Sequence, residues 1–136
     1  MFTLPIRVYY EDTDAGGVVY YANYLKFYER ARTEWLRQLQ VDQIIVAQEH
    51  DALFAVRHVE VDYLRAARLD DVLTVTAQVK DMRRASIFFE QTIVRGAERI
   101  SSASVRICCV RASNFTACEV PPFIRERLSP TQSPSS

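Results

Sequence analysis

The period of the sequence changes within one short stretch, Tyr9 to Tyr24, and the fold must be built around that change. Running into it, Ile6, Val8 and Tyr10 fall on one parity and Arg7, Tyr9 and Glu11 on the other. That alternation is the signature of a half-buried strand. Beyond it, Tyr24, Phe27, Tyr28, Ala31, Trp35 and Leu39 recur at helical spacing, with Lys26, Arg30 and Arg37 between them. The join reads E-D-T-D-A-G-G, and Gly16 and Gly17 are two of the chain's three glycines. Paired glycines let a backbone turn sharply and approach a ligand closely. Asn23 is the expected N-cap of the helix. The order is therefore strand, acidic turn, glycine loop, long helix. It sets a carboxylate beside a helix N-terminus, whose free N–H groups and partial positive charge stabilise an oxyanion. A carboxylate next to an oxyanion site is half of what acyl transfer needs.

After the helix, Gln43 to Glu49 reads as an extra helical turn. Extended patterns then follow over Ala52–Leu64, Val72–Lys80, Ser86–Val94 and Ile100–Val110. Asp81-Met82-Arg83-Arg84 and Arg95-Gly96-Ala97-Glu98 are the expected hairpin connections. Phe115–Val120 is a candidate further strand, and Phe123–Leu128 a short helix. Consecutive strands with short connections make an antiparallel sheet, with the long helix covering one face. The class is α+β. The 136 residues favour one domain, 1–128, enough to bury roughly two-thirds of the unfolded surface. The tail 129–136, S-P-T-Q-S-P-S-S, has the composition of a disordered end.

Composition excludes several classes. Lys+Arg and Asp+Glu are both 17, so the net charge is zero, which argues against a bulk nucleic-acid or membrane binder. No run approaches the ~20 apolar residues of a membrane span, and M-F-T-L-P-I-R lacks the apolar core of a signal peptide. Cys108, Cys109 and Cys118 have neither disulfide nor zinc spacing, and read as buried thiols in a reducing cytoplasm. His50 and His58 lie in no motif, and no metal site is expected.

Three stretches carry a resemblance: R-V-Y-Y-E-D-T-D-A-G-G-V-V-Y (Arg7 to Tyr20), Y-E-R-A-R-T-E-W-L-R (Tyr28 to Arg37) and A-R-L-D-D-V-L (Ala67 to Leu73). From about Pro5 to about Pro121 the chain resembles the hotdog-fold acyl-CoA thioesterases of the 4-hydroxybenzoyl-CoA thioesterase type. It is most similar to the branch associated with the bacterial Tol–Pal system. The resemblance implies an antiparallel sheet wrapped around one long central helix. It also implies a homodimer, paired again into a homotetramer, with active sites between subunits. No cofactor is implied. The substrate is an acyl-CoA, with an acyl-carrier-protein thioester as a second candidate.

The same resemblance assigns roles. Asp14, the second Asp of D-T-D, is the implied catalytic carboxylate, as nucleophile or as general base. Standing alone it reads as a turn acid that bonds its own backbone, the reading kept for Glu11 and Asp12. Tyr21 departs from the Tol–Pal branch, where His is usual, and matches the 4-hydroxybenzoyl-CoA thioesterases; its main-chain N–H takes the oxyanion role. Tyr10 matches an active-site tyrosine, with a core aromatic as the alternative. Gly16 and Gly17 shape the substrate loop. Arg83 and Arg84 match a cluster that contacts coenzyme A phosphates, with Arg65 and Arg68 as weaker candidates. Glu29 or Glu34 is the alternative catalytic acid. The competing functions are a non-catalytic acyl-CoA-binding or envelope-associated scaffold and a hotdog dehydratase. The dehydratase is disfavoured because neither the loop nor the helix carries a histidine.

Overall fold

A computed structural model describes residues 1–128, and the tail expected to be disordered, 129–136, lies outside the described residues. The elements are β1 (Phe2–Arg7), a 3-10 turn (Tyr10–Asp12), α1 (Tyr21–Gln38), α2 (Gln43–His50), β2 (Leu53–Tyr63), β3 (Val72–Met82), β4 (Ser86–Arg95), β5 (Glu98–Val110) and α3 (Pro122–Arg127). The strands form one antiparallel sheet in the order β1-β3-β4-β5-β2. β1 pairs with β3 so that Ile6 stands opposite Leu73 and Leu4 opposite Val75.

Three local expectations change. The first strand ends at Arg7, not near Glu11. The Tyr9 N–H donates to Asp12 Oδ2 (2.9 Å) and the Asp12 N–H to the Tyr9 carbonyl (2.9 Å). A short acidic side chain thus offers the backbone a local partner in place of the ladder. Tyr10 thereby leaves the buried parity and is 82% exposed, so it is no core aromatic. α1 begins at Tyr21, so Asn23 lies inside the first turn and is not the N-cap. Phe115–Val120 contributes a single bridge, Val110 to Ala117, and not a strand. There Phe115 takes a positive φ of 60° and Asn114 Oδ1 accepts from the Thr116 N–H, which makes a turn.

The chain divides into two compact units. The first comprises Met1–Trp35, Glu60–Ala77 and Gln91–Ala103. Phe27, Ala31, Leu73, Val75, Ile93 and Ile100 are fully enclosed in its core. Each large side chain so buried contributes about 1.5–3 kcal/mol. A polar seam runs through the same core. The Tyr28 hydroxyl bonds Ser101 Oγ (2.6 Å), which donates to the Asp62 carbonyl (2.9 Å). Arg32 Nη1 donates to Gln91 Oε1 (2.9 Å), while Gln91 Nε2 donates to the carbonyls of Tyr28 (3.0 Å) and Thr76 (3.2 Å). The seam ties α1 to β3, β4 and β5.

The second unit comprises Leu36–Val59, Gln78–Glu90 and the chain from Ser104 onward. Val41, Val46, Ile87, Phe89, Ile107 and Ile124 are among its buried residues. Asp42 caps α2 by accepting from the Ile44 N–H (2.9 Å). Two of the three thiols are core groups: Cys109 and Cys118 are buried with Sγ atoms 3.4 Å apart, while Cys108 is half-buried. Burial, reinforced by the Cys118 thiol, pushes the Cys109 pKa up to about 12. His50 packs its ring on Phe123, 5.0 Å between centroids.

Candidate active site

The acidic loop is a miniature hairpin in the first unit. The Tyr20 N–H donates to the Asp12 carbonyl (3.1 Å), Thr13 bridges Val19, and the Asp14 N–H donates to the Val18 carbonyl (2.9 Å). The Gly17 N–H closes the turn onto the Asp14 carbonyl (3.0 Å). Gly17 has φ +78°, where a side chain strains the backbone. At Gly16 a Cβ would sit 3.2 Å from Asp14 Oδ1. Both glycines are thus fitted to this turn. Thr13 is structural, its hydroxyl donating to the Tyr10 carbonyl (2.7 Å).

Asp12 and Asp14 are placed differently. Asp12 is buried and bonds the Tyr9 backbone. Asp14 is exposed, and its Oδ1 accepts from the Gly16 N–H (2.8 Å). Among the described residues no hydrogen bond or ion pair engages its other oxygen. One carboxylate oxygen is therefore pinned and the other is open.

The returning arm of the hairpin runs straight into α1. The N–H groups of Tyr21 and Ala22 stand in the first turn, where a helix supplies no acceptor of its own. Asn23 Nδ2 donates to the Asp12 carbonyl (2.9 Å), fastening that turn back onto the acidic arm. The Asn23 side chain thus caps no helix N–H and instead reaches a carbonyl eleven residues upstream. Tyr21 is 60% exposed. Its ring lies 4.8 Å from that of Tyr20, and the neighbouring Tyr21 hydroxyl raises the Tyr20 pKa. Tyr63, at the end of β2, sets its ring against Tyr21 (5.9 Å) and Tyr24 (5.3 Å). Nothing in the local pattern had marked Tyr63, because its neighbours come from a distant helix.

Arg83 and Arg84 belong to the second unit, and the weaker candidates Arg65 and Arg68 to the first. Arg83 and Ser86 close the β3–β4 hairpin, the Arg83 N–H donating to the Ser86 carbonyl (2.8 Å). The Arg83 guanidinium lies 5.3 Å from the Phe88 ring centre and 3.6 Å from Asp81, and Arg106 lies 5.2 Å from the same ring. The Arg84 side chain is exposed and has no partner among the described residues. Of the weaker candidates, Arg65 is engaged by Glu98 (3.0 Å) and Arg68 is held at its backbone N–H by Asp71 (2.8 Å). Among the described residues no group of His, Cys, Asp and Glu could hold a metal ion, and no helix is long and apolar enough to cross a membrane.

Comparison with known proteins fits this geometry. Residues 8–128 match the family model of the thioesterase-like superfamily. Over 109 residues, 80% of each chain, the sequence is 50% identical to the acyl-CoA thioesterase YbgC of Haemophilus influenzae. A solved probable thioesterase from Bartonella henselae is 34% identical with a TM-score of 0.83, covering 88% of this chain and 98% of that one. The 1,4-dihydroxy-2-naphthoyl-CoA thioesterase of Synechocystis, 21% identical, shares the fold with a TM-score of 0.90 over 98% of both chains. The α+β hotdog fold, the loop-to-helix arrangement and the family match converge: this chain belongs to the thioesterase-like superfamily.

Proposed function

We propose that residues 1–128 act as one acyl-CoA thioester hydrolase domain in the cytoplasm, with Asp14 as the reacting carboxylate. One observation carries the proposal: Asp14 is held by the Gly16 N–H through one oxygen while the other is unpartnered. It sits on a hairpin whose far arm enters the first turn of α1. The thioester oxygen is received by the Tyr21 N–H, where helix-end polarity stabilises the charge that develops on it. The free Asp14 oxygen then either attacks the carbonyl carbon, forming a mixed anhydride and expelling coenzyme A thiolate, or draws a proton from an attacking water. Tyr10, exposed at the mouth of the loop, orients the substrate. Arg83 and Arg84 take the coenzyme A phosphates, since guanidinium pairs with phosphate in a bidentate manner. An acyl-carrier-protein thioester is the second candidate substrate.

The assembly in this proposal is a homodimer, paired again into a tetramer. The eleven residues of β2 support it: the strand lies at an edge of the sheet and none of its residues is buried. An exposed strand edge is a template for pairing with a second copy.

The test is thiol release from a panel of short, long and aromatic acyl-CoAs. Turnover of some members is expected. Tight binding of acyl-CoA with no thiol released from any of them would favour the non-catalytic acyl-CoA-binding scaffold.

Asn23 gives a second expectation. Asn23→Ala frees the Asp12 carbonyl from α1, so the hairpin and the helix start lose their fixed spacing. Displacements on the ångström scale cost up to about a hundredfold in rate. A kcat lowered by about ten- to a hundredfold with KM nearly unchanged is expected. A purely structural loss would instead appear in thermal stability, with the kcat of the folded fraction preserved.

A further inference from the structure

The turn between β2 and β3, residues 65–71, is held from two sides. On one side it supports the Asp14 hairpin. The Val19 N–H donates to the Ala67 carbonyl (2.8 Å), and Val18 bridges Arg68. The returning arm of the hairpin therefore has a second strand-like partner besides the acidic arm. The Ala67 N–H donates to the Tyr24 hydroxyl (3.1 Å), which ties the same turn to α1. On the other side stands Arg95, at the end of β4. Its Nη1 donates to the Ala66 carbonyl (3.1 Å) and to Asp71 Oδ2 (2.7 Å), and that oxygen also accepts from the Arg68 N–H (2.8 Å). Its Nε and Nη2 donate to Glu98 Oε1 (3.2 and 2.7 Å), whose other oxygen pairs with Arg65 (3.0 Å). The Ala66 carbonyl and the Ala67 N–H belong to one peptide unit, so the unit that Arg95 holds is the unit that meets α1.

We propose that Arg95 is a positioning residue for the reaction: through residues 66–71 it sets the spacing between the Asp14 hairpin and the first turns of α1. The inference rests on the reading that Asp14 and the Tyr21 N–H act on the thioester, because those groups stand on the two elements that the turn joins. The chemistry suits arginine. A planar fork of five donors holds two carboxylates and a carbonyl at once, which a single ammonium does not. Its pairs are charge-assisted, the stronger class of hydrogen bond. The Arg95 and Asp71 side chains are 29% and 23% exposed, so water screens their pair less than it would at a fully open site. A guanidinium on the Ala66 carbonyl also polarises the peptide unit, which strengthens the bond its N–H makes to Tyr24.

The test reads spacing and turnover separately in the full chain. Amide hydrogen exchange is followed in the wild type and in Arg95→Met, which keeps the stem and removes the fork. The Val19 and Ala67 amides should exchange about ten- to a hundredfold faster, the change in local opening that loss of charged hydrogen bonds makes. The core amides of Leu73 and Val75 on β3 should change little. The kcat for thiol release, on the best acyl-CoA of the panel, should fall about ten- to a hundredfold with KM nearly unchanged. Arg95→Lys should show both effects in smaller measure, and it decides if the methionine variant does not fold. Wild-type exchange at Val19, equal acceleration at Val19 and in the β3 core, or faster exchange with kcat unchanged overturns the proposal. An active wild type with an unaffected Arg95→Met thus fails the positioning role alone. No thiol release from the wild type fails the hydrolase reading, and this proposal with it.

Discussion

Asp14→Asn is expected to lower kcat for acyl-CoA hydrolysis by about 10²–10⁴-fold with little change in thermal stability. The range is what a positioned proton-transfer group contributes. The amide keeps the size of the carboxylate, and its oxygen can still accept from the Gly16 N–H, which Asp14 Oδ1 engages at 2.8 Å. The turn is also held by the bond from the Gly17 N–H to the Asp14 carbonyl, which the substitution leaves alone. What disappears is the negative charge on the unpartnered oxygen, and with it both routes, nucleophilic attack and proton abstraction. The measurement is thiol release on the best substrate of the panel, with a melting curve beside it. An equally active variant would remove Asp14 from the reaction and send the search to Glu29 or Glu34 on α1. A variant that loses activity and stability together would make Asp14 a turn acid like Asp12.

Much of this arrangement was legible because it depends on local pattern. Strand alternation, helical spacing and turn residues are short-range signals, and α1, α2 and the strands β2 to β5 fall where those signals place them. What escaped was decided by side chains bonding backbone. The alternation through Tyr10 is real in the letters, yet Asp12 bends the chain away from it. Asn23 suits a cap by type, yet its amide is drawn to a carbonyl on the returning arm. The loop motif could be read as a motif, and its glycines match the turn they occupy. Tyr63 could not be read, since its value lies in rings contributed by α1. Local preference states what a residue can do; only the tertiary pairing states with what.

The buried seam in the core of the first unit gives the largest expected effect on stability. Arg32 is 8% exposed on α1, and Gln91, 2% exposed on β4, supplies the oxygen its Nη1 bonds. Burial pushes the Arg32 pKa down to about 10, with Glu29 opposing. Gln91→Leu takes the acceptor from a buried cation and should cost about 3 kcal/mol, a fall in Tm of roughly 10 °C. Arg32→Met leaves Gln91 Oε1 unpaired and should cost about 1–3 kcal/mol. The double variant should be close to wild type, because an apolar pair of similar volume replaces a desolvated charge. The difference between double and summed single effects is the coupling, expected above about 2 kcal/mol and read by denaturant unfolding. The pH dependence follows from the depressed pKa. Below about 10 both folded and unfolded chains carry the charge, and the folded chain bears the full cost of burying it. As pH rises through that value toward the ordinary arginine range, the folded chain releases the proton first and the cost is relieved. Losing the acceptor lowers Arg32 further in the variant, so the Gln91→Leu deficit should be widest near neutrality and close as pH rises toward about 10. A deficit that is independent of pH would mean the loss comes from the Gln91 bonds to the Tyr28 and Thr76 carbonyls, and not from the stranded guanidinium.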